Sequence, residues 1–160
     1  MKTRIIFVRH GETFGNLKKM IHGHTNGRLS KNGLSQAKKL AKRLSEENID
    51  VIYSSDLTRA KQTAREIAHY HDVPLYYDKR IREKCYGIFE RKKISTLAKA
   101  EKQAGKRYIL FTPKGGESYK QVQKRASSFF KEVLAKNKDK TILVVTHGNF
   151  IMLSILLWRH

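Results

Sequence analysis

The chain has 160 residues, of which 39% are hydrophobic and 30% are charged, and 34 Lys and Arg against 14 Asp and Glu give a formal net charge of +20. This length favours one domain, since about 100 to 200 residues is the usual domain size, and the apolar content excludes a disordered chain. The single cysteine, Cys85, excludes an intramolecular disulfide and a thiolate metal cluster, and it favours a cytoplasmic protein.

The positive charge is dispersed along the chain. Lysines occur in short pairs at 18–19, 38–39 and 92–93, without a long basic arm or an interleaved aromatic pattern. We therefore do not expect nucleic acid as a main partner, despite the charge. A basic surface that attracts small anionic substrates explains the composition better.

Four apolar runs typical of β-strands alternate with helical patterns. The runs cover residues 3–8, 50–53, 74–77 and 141–146. They are short, continuous and rich in Val and Ile, as in parallel strands that are covered on both faces. Because there is no internal repeat and no linker, the pattern predicts one α/β domain over residues 1–160.

Apolar residues at helical spacing mark the segments between these strands. They predict helices over 34–44, 57–68, 94–104 and 122–134. Ser30 is the expected N-cap of the first helix, and the second should begin near Ser55 or Asp56. The apolar stretch 150–158 is shorter than the roughly 20 residues that span a bilayer, so it predicts a core helix and no membrane partner.

Polar side chains follow three of the predicted strands. Arg9 and His10 follow the first strand, Arg59 lies just beyond the second, and His147 follows the strand 141–146. Because ligands of open parallel sheets bind beyond the carboxyl ends of the strands, we expect these four side chains to lie together. Two guanidinium groups and two imidazoles repel each other unless an anion lies between them, and a phosphoryl group matches the arginine fork.

His10 is the expected nucleophile of such a phosphate site, because a neutral imidazole nitrogen attacks phosphorus and can pass the group onward. Glu83 is the best candidate carboxylate to protonate the leaving oxygen and later to take a proton from water. Thr13 is a candidate contact of the phosphate. Taken singly, a histidine at a strand end or an arginine on a helix is more often structural; together they favour a site.

Six motifs in chain order resemble those of the histidine phosphatase superfamily, also called phosphoglycerate mutase-like. They are FVRHGET (7–13), Asn16, SSDLTRAKQTA (54–64), IREKCYGIFE (81–90), GGES (115–118) and VTHGN (145–149). The resemblance implies a three-layer α/β/α sandwich with a mostly parallel central sheet, and it implies neither a metal nor an organic cofactor.

The resemblance also implies roles for individual residues. His10 is the phosphorylated nucleophile, Glu83 is the acid and base, and Arg9, Arg59 and His147 bind the phosphoryl group. The expected substrate-binding residues are Asn16, Thr13, His22, Gly23 and Gly148.

Within the superfamily, residues 82–90 and 111–125 are most similar to TIGAR-type sugar bisphosphatases and their broad-specificity microbial relatives. This favours a phosphatase that hydrolyses a phosphomonoester of a small anionic metabolite, such as a sugar phosphate. Phosphoglycerate mutases usually carry a longer segment before GGES; here 31 residues separate Glu83 from Gly115, which favours a site open to water. A cofactor-dependent phosphoglycerate mutase and a non-catalytic module that binds phosphate or nucleic acid are the alternatives.

Three positions depart from the superfamily's pattern. His22 replaces a common glutamine, Arg28 a common proline and Arg91 a common glycine. His22 and Arg28 either add positive charge for a second phosphate or carboxylate, or are loop substitutions without consequence. The pairs His22/His24 and His69/His71 lack further ligands at zinc-binding spacing, so no metal site is expected.

The sequence stops at His160, just after the helix that follows His147, whereas relatives commonly continue into another strand. We therefore expect an exposed sheet edge. Its expected consequence is a homodimer or a lower stability.

Overall fold

A computed structural model describes residues 2–105 and 110–157, and these contain one four-stranded parallel sheet. The strands are β1 (Arg4–Arg9), β2 (Val51–Ser55), β3 (Leu75–Asp78) and β4 (Thr141–Thr146), in the spatial order β1-β4-β2-β3. Each lies within one or two residues of a predicted strand. The parallel sheet is confirmed.

Six helices and two short 3₁₀ turns connect and follow the strands in the described residues. The helices are α1 (Phe14–Leu17), α2 (Lys31–Leu44), α3 (Thr58–Ala68), α4 (Ile94–Gln103), α5 (Tyr119–Lys136) and α6 (Gly148–Leu157), and the turns cover Lys79–Ile81 and Gly87–Phe89. All five predicted helices are present, although Trp158 of the last prediction lies outside the described residues. Helix α1 and the two turns are too short to show a periodicity, so the sequence does not predict them.

The predicted start of α2 is confirmed and that of α3 is wrong. Ser30 caps α2, where its Oγ accepts a hydrogen bond from the amide of Gly33 at 3.0 Å. Helix α3 begins at Thr58, later than predicted, because Ser55 is still the last residue of β2 and Leu57 still has an extended backbone.

Two apolar cores cover the two faces of the sheet. On one face, Phe129 of α5 and Phe150 of α6 pack with Val144 of β4. On the other face, Ala41 of α2 and residues of α3 pack with Val145, the next residue of the same strand. Successive side chains of a strand point to opposite faces, so β4 contributes to both cores. The predicted three-layer α/β/α sandwich is confirmed.

Arg91 has a left-handed backbone, with φ of +65°, and its amide donates a hydrogen bond to the carbonyl of Ile21 at 2.7 Å. This geometry explains why glycine suits the position, since a side chain there costs about 1 kcal/mol. We expect Arg91→Gly to raise the free energy of unfolding by about 0.5 to 1 kcal/mol in urea titrations. Lys92→Gly, at the neighbouring exposed residue, is the control and should lower the free energy of unfolding. A lower free energy of unfolding in Arg91→Gly would contradict this account.

Candidate active site

His10 leaves the sheet at the carboxyl end of β1, and its imidazole is held in one tautomer. Its amide donates to the carbonyl of Thr146 at 3.1 Å, which fixes the backbone to β4. Its Nδ1 lies 2.7 Å from the carbonyl oxygen of Gly11. Because a carbonyl only accepts, Nδ1 must carry the proton, and Nε2 therefore keeps its lone pair. This Nε2 is the nitrogen that faces Arg59.

Arg59, in the first turn of α3, is only 1% exposed. Its guanidinium is fixed by three hydrogen bonds, from Nε to Nε2 of His10 at 3.2 Å, from Nη1 to the carbonyl of Thr25 at 2.9 Å and from Nη2 to the carbonyl of Gly23 at 2.8 Å. Burial lowers the pKa of Arg59 to about 10, so it is still a cation at neutral pH. The site thus contains a positive charge next to the lone pair of His10.

The hydrogen bond from Nη2 of Arg59 to the carbonyl of residue 23 requires glycine at this position. The φ of Gly23 is +51°, and a Cβ would lie 2.0 Å from Oε1 of Glu90. The same carboxylate oxygen accepts hydrogen bonds from the amides of His24 and Tyr86, so it cannot easily move away.

His147 is fully buried beside His10, with 5.1 Å between the two ring centroids. Its Nε2 lies 2.9 Å from Oγ of Ser55, at the end of β2. Its Nδ1 is buried without a hydrogen-bond partner in the part of the chain that the structure describes. Buried polar atoms are normally paired, and a bound oxyanion is one group that would satisfy this nitrogen.

A cavity of about 230 Å³ opens at this end of the sheet. It is lined by seven residues that the sequence singled out, Arg9, His10, Asn16, His22, Gly23, Arg59 and Glu83. Six further residues line it as well: Met20, Ile21, Tyr86, Ile94, Leu97 and Asn149. Asn149 stands in the VTHGN motif and Tyr86 in the IREKCYGIFE motif, whereas Met20, Ile21, Ile94 and Leu97 carry no signal in the sequence.

Thr13, His147 and Gly148 are placed differently from our expectation, since none of the three lines this cavity. Thr13 is fully buried, and its hydroxyl lies 2.8 Å from Oδ1 of Asn16 and 2.7 Å from Nε2 of His22. It caps α1 and positions its neighbours instead of facing a substrate. Gly148 begins α6 beside Arg9, where a Cβ would make an ordinary contact, 3.6 Å from Nε of that arginine.

Glu83 projects into the cavity from the segment after the 3₁₀ turn Lys79–Ile81. Its Oε1 accepts from the amide of Lys84 at 2.8 Å, and its Oε2 accepts from the amide of Asn149, in the first turn of α6, at 3.4 Å. The carboxylate is therefore held in the cavity that contains the imidazole of His10.

Arg125 of α5 holds the segment that carries Glu83. Its guanidinium donates to the carbonyls of Arg80, Arg82 and Glu83 at 2.6, 2.7 and 2.9 Å. Glu117 of the GGES motif accepts from Arg125 at 2.9 Å and from the amide of Cys85 at 2.8 Å. Arg125 and Glu117 are thus positioning residues for Glu83, a role that the sequence does not predict.

The imidazoles of this site favour the neutral form. Burial, then the charges of Arg59 and Arg9, lower the pKa of His10 to about 3, against the raising effect of its bond to Gly11. Burial and Arg59 also lower the pKa of His147 well below its usual value, and they lower that of His22. A neutral His10 has the lone pair that a nucleophile needs.

This burial predicts how stability depends on pH. The unfolded chain has the ordinary histidine pKa of 6.5, so below about pH 6.5 it takes up protons that the folded chain does not bind at His10. The free energy of unfolding should therefore fall as the pH is lowered. His10 alone should account for roughly 2 kcal/mol of this fall between about pH 6.5 and pH 5. Urea titrations should show a shallower fall in His10→Gln, and an unchanged slope would contradict the assignment.

Among residues 2–105 and 110–157, no three His, Cys, Asp or Glu side chains gather as a metal site. The imidazoles of His22 and His24 have separate partners, Thr13 and the carbonyl of Glu83. Within the same residues, no helix has the length and apolar character needed to cross a membrane.

Several known proteins are similar to this chain. Fructose-2,6-bisphosphatase TIGAR of Mus musculus is 41% identical over 128 residues, which cover 77% of this chain and 48% of TIGAR. A metal-independent phosphoserine phosphatase of Arabidopsis thaliana is 35% identical over 156 residues, which cover 93% of this chain and 66% of the relative. The chain thus spans about half the length of the TIGAR proteins that it matches.

A solved structure and a family model also match this chain. YhfR of Bacillus stearothermophilus superposes with a TM-score of 0.90 at 28% identity, covering 98% of this chain and 80% of that one. The model of the histidine phosphatase superfamily (branch 1) matches residues 5–160. The chain belongs to the histidine phosphatase superfamily.

Proposed function

We propose that this protein is a phosphatase that hydrolyses phosphomonoesters of small anionic metabolites, such as sugar phosphates, through a phosphohistidine on His10. One observation carries the proposal: the unprotonated Nε2 of His10 lies 3.2 Å from the buried cation of Arg59, in a cavity that also contains the carboxylate of Glu83. A nucleophile, a fixed cation and a proton donor are the groups that phosphoryl transfer needs. The proposed reaction uses no metal and no organic cofactor.

In the first step, Nε2 of His10 forms a bond to phosphorus and the ester P–O bond breaks. The leaving oxygen takes the proton of Glu83, which must enter this step as the neutral acid. Arg9, Arg59 and Asn16 bind the phosphoryl oxygens together with His147, and the arginines neutralise the charge that spreads over these oxygens. The bond from Nδ1 to the carbonyl of Gly11 stabilises the positive ring as it forms.

In the second step, water attacks the phosphorus of the phosphohistidine and the P–N bond breaks. The Glu83 carboxylate takes the proton of that water, which returns Glu83 to its acid form and leaves Nε2 of His10 with its lone pair. Inorganic phosphate then leaves the cavity. Each group thus ends the cycle in the state in which it began.

The named relatives support a phosphatase, and a phosphoglycerate mutase is the second candidate. A probable phosphoglycerate mutase, GpmB of Proteus mirabilis, is 35% identical over 149 residues. A water-accessible cavity favours hydrolysis, because a mutase must keep water from its phosphohistidine. A module that only holds phosphate has no use for a carboxylate positioned as Glu83 is.

Phosphate release from a panel of fructose phosphates, phosphoglycerates, nucleotides and phosphoproteins tests the function. We expect inorganic phosphate to form, with kcat/KM highest for a small metabolite. Incubation with 3-phosphoglycerate separates the two enzymes: isomer without inorganic phosphate would identify a mutase, and neither product from any compound would contradict catalysis.

We also propose a cytoplasmic homodimer that forms through β1. In the described residues, β1 pairs with β4 on one side and with no strand on the other. An unpaired strand edge readily accepts a second strand. Light scattering behind a sizing column should give twice the monomer mass, and Phe7→Pro, in β1, should restore the monomer mass; a monomeric parent would contradict the proposal.

A further inference from the structure

The proposed active-site cavity has two chemically different halves. Its inner half contains the groups assigned to phosphoryl transfer, Arg9, His10, Arg59 and Glu83. Five further lining residues with largely apolar side chains, Met20, Ile21, Tyr86, Ile94 and Leu97, are called the outer wall here; the hydroxyl of Tyr86 accepts from Nδ2 of Asn149, which also lines the cavity. A substrate whose phosphoryl group lies against His10 can extend along this apolar wall or toward a second opening, which is polar and lined by Arg9, Gly11, Glu12, Asn16 and Gln36. The apolar wall is the part that covers an apolar leaving group.

The apolar wall is a fixed part of the fold. Ile21, Tyr86 and Leu97 are 6%, 6% and 5% exposed and belong to one apolar cluster with Phe89. Backbone bonds connect the two segments that contribute Met20 and Ile94, since the amide of Ile94 donates to the carbonyl of Lys19 at 3.0 Å. The wall is therefore present before a ligand binds.

Ile94 is the accessible residue of this wall. It begins α4, and 53% of it is exposed even though it lines the cavity. An exposed apolar side chain at the mouth of a polar site gains free energy when a ligand covers it. Ile94 is therefore placed to recognise the leaving group.

The described wall offers no cation to a second anionic group. Its only cationic residues are Arg9 and Arg59, both in the inner half, and two donors of Arg59 are already bonded to backbone carbonyls. The ring of His22 is bonded to Thr13, and Arg28 is exposed outside the cavity. The alternative in which His22 and Arg28 hold a second phosphate is therefore not supported.

We propose that the outer wall selects phosphomonoesters whose leaving group is uncharged and has an apolar or aromatic face, and that it disfavours bisphosphates. The proposal rests on the proposed phosphatase function and narrows its substrate class. Burial of an apolar leaving group is favourable here, whereas a second phosphate would lose its water without gaining a cation. The net charge of +20 then serves encounter with anions and not recognition in the cavity.

The test compares benzyl phosphate, glycerol 3-phosphate and fructose 1,6-bisphosphate, which all release alcohols of low acidity. We expect kcat/KM for benzyl phosphate to exceed the other two values by about tenfold or more. Ile94→Ser should reduce the preference for benzyl over glycerol phosphate by about three- to tenfold, mainly through KM. Ile94→Lys should raise kcat/KM for the bisphosphate, because it adds a cation to the wall.

Ile88→Ser is the matched control, because Ile88 is 51% exposed and does not line the cavity. Ile88→Ser should have the same ratio of kcat/KM for benzyl phosphate to kcat/KM for glycerol 3-phosphate as the parent. The proposed selectivity would be overturned if the parent had a higher kcat/KM for the bisphosphate than for benzyl phosphate. It would also be overturned if Ile94→Ser and the parent had the same ratio of kcat/KM for benzyl phosphate to kcat/KM for glycerol 3-phosphate. Release of phosphate from none of the three compounds would instead overturn the phosphatase function itself.

Discussion

Replacing His10 with alanine is expected to lower phosphate release by about 10³-fold or more, because the substitution removes the ring nitrogen that Arg59 orients in the cavity. Arg9, Arg59 and Glu83 remain in His10→Ala, so it should still bind substrate. The measurement is kcat and KM for inorganic phosphate release, with substrate binding followed by calorimetry.

His69→Ala is the control for this substitution, since His69 is exposed at the end of α3. It should keep the parent's kcat and KM. Full activity in His10→Ala would refute the nucleophile. Loss of activity together with loss of the folded circular dichroism spectrum would trace the effect to folding instead, and His10→Gln, which fills more of the cavity, then repeats the test.

Replacing Glu83 with glutamine should have an effect that depends on the leaving group. A general acid contributes about 10²- to 10⁴-fold where the leaving oxygen needs a proton, so we expect a loss of this size in kcat/KM for glycerol 3-phosphate. For para-nitrophenyl phosphate the loss should be far smaller, because this phenolate leaves without protonation. The measured quantity is kcat/KM, which covers the steps up to phosphoryl transfer to His10.

Hydrolysis of the phosphohistidine also uses Glu83, so Glu83→Gln should release nitrophenol in a burst and then turn over slowly. Glu46→Gln removes an exposed carboxylate far along the sequence and serves as the control, with parent kinetics on both esters. Equal losses in kcat/KM for the two esters would show that Glu83 positions the substrate and is not the acid.

The convergence of the site was predictable because it follows from backbone topology. The apolar runs identify β1 and β4, and a parallel sheet brings their carboxyl ends to one edge, where Arg9 is paired in register with Thr146. His10 could therefore be placed near His147 from the sequence. Arg59 joins them because α3 starts directly after β2.

The apolar wall was not predictable, because segments far apart in the sequence form it. Met20 faces Lys93 across an isolated β-bridge, and this pairing brings Ile94 to the cavity. Neither segment has a periodicity or a motif that indicates the contact. Thr13 was assigned to the phosphate because the FVRHGET motif contains it, yet its hydroxyl caps α1.

The role of Arg125 was not predictable from the sequence either. The periodicity of α5 separates an apolar face from a polar one, and a polar-face arginine on a long helix is ordinarily solvated. Its role arises from three backbone carbonyls around Glu83, which only the folded chain brings within reach.

The central claim is that the phosphoryl group passes through His10, and trapping that intermediate tests it most directly. A substrate labelled in its phosphoryl group is mixed with the parent and with Glu83→Gln and quenched in base, where phosphohistidine is stable, and the peptides are sequenced by mass spectrometry. We predict one phosphoryl group on His10, labile in acid and more abundant in Glu83→Gln. Turnover at the parent's full rate with His10 unmodified in both proteins would contradict the account.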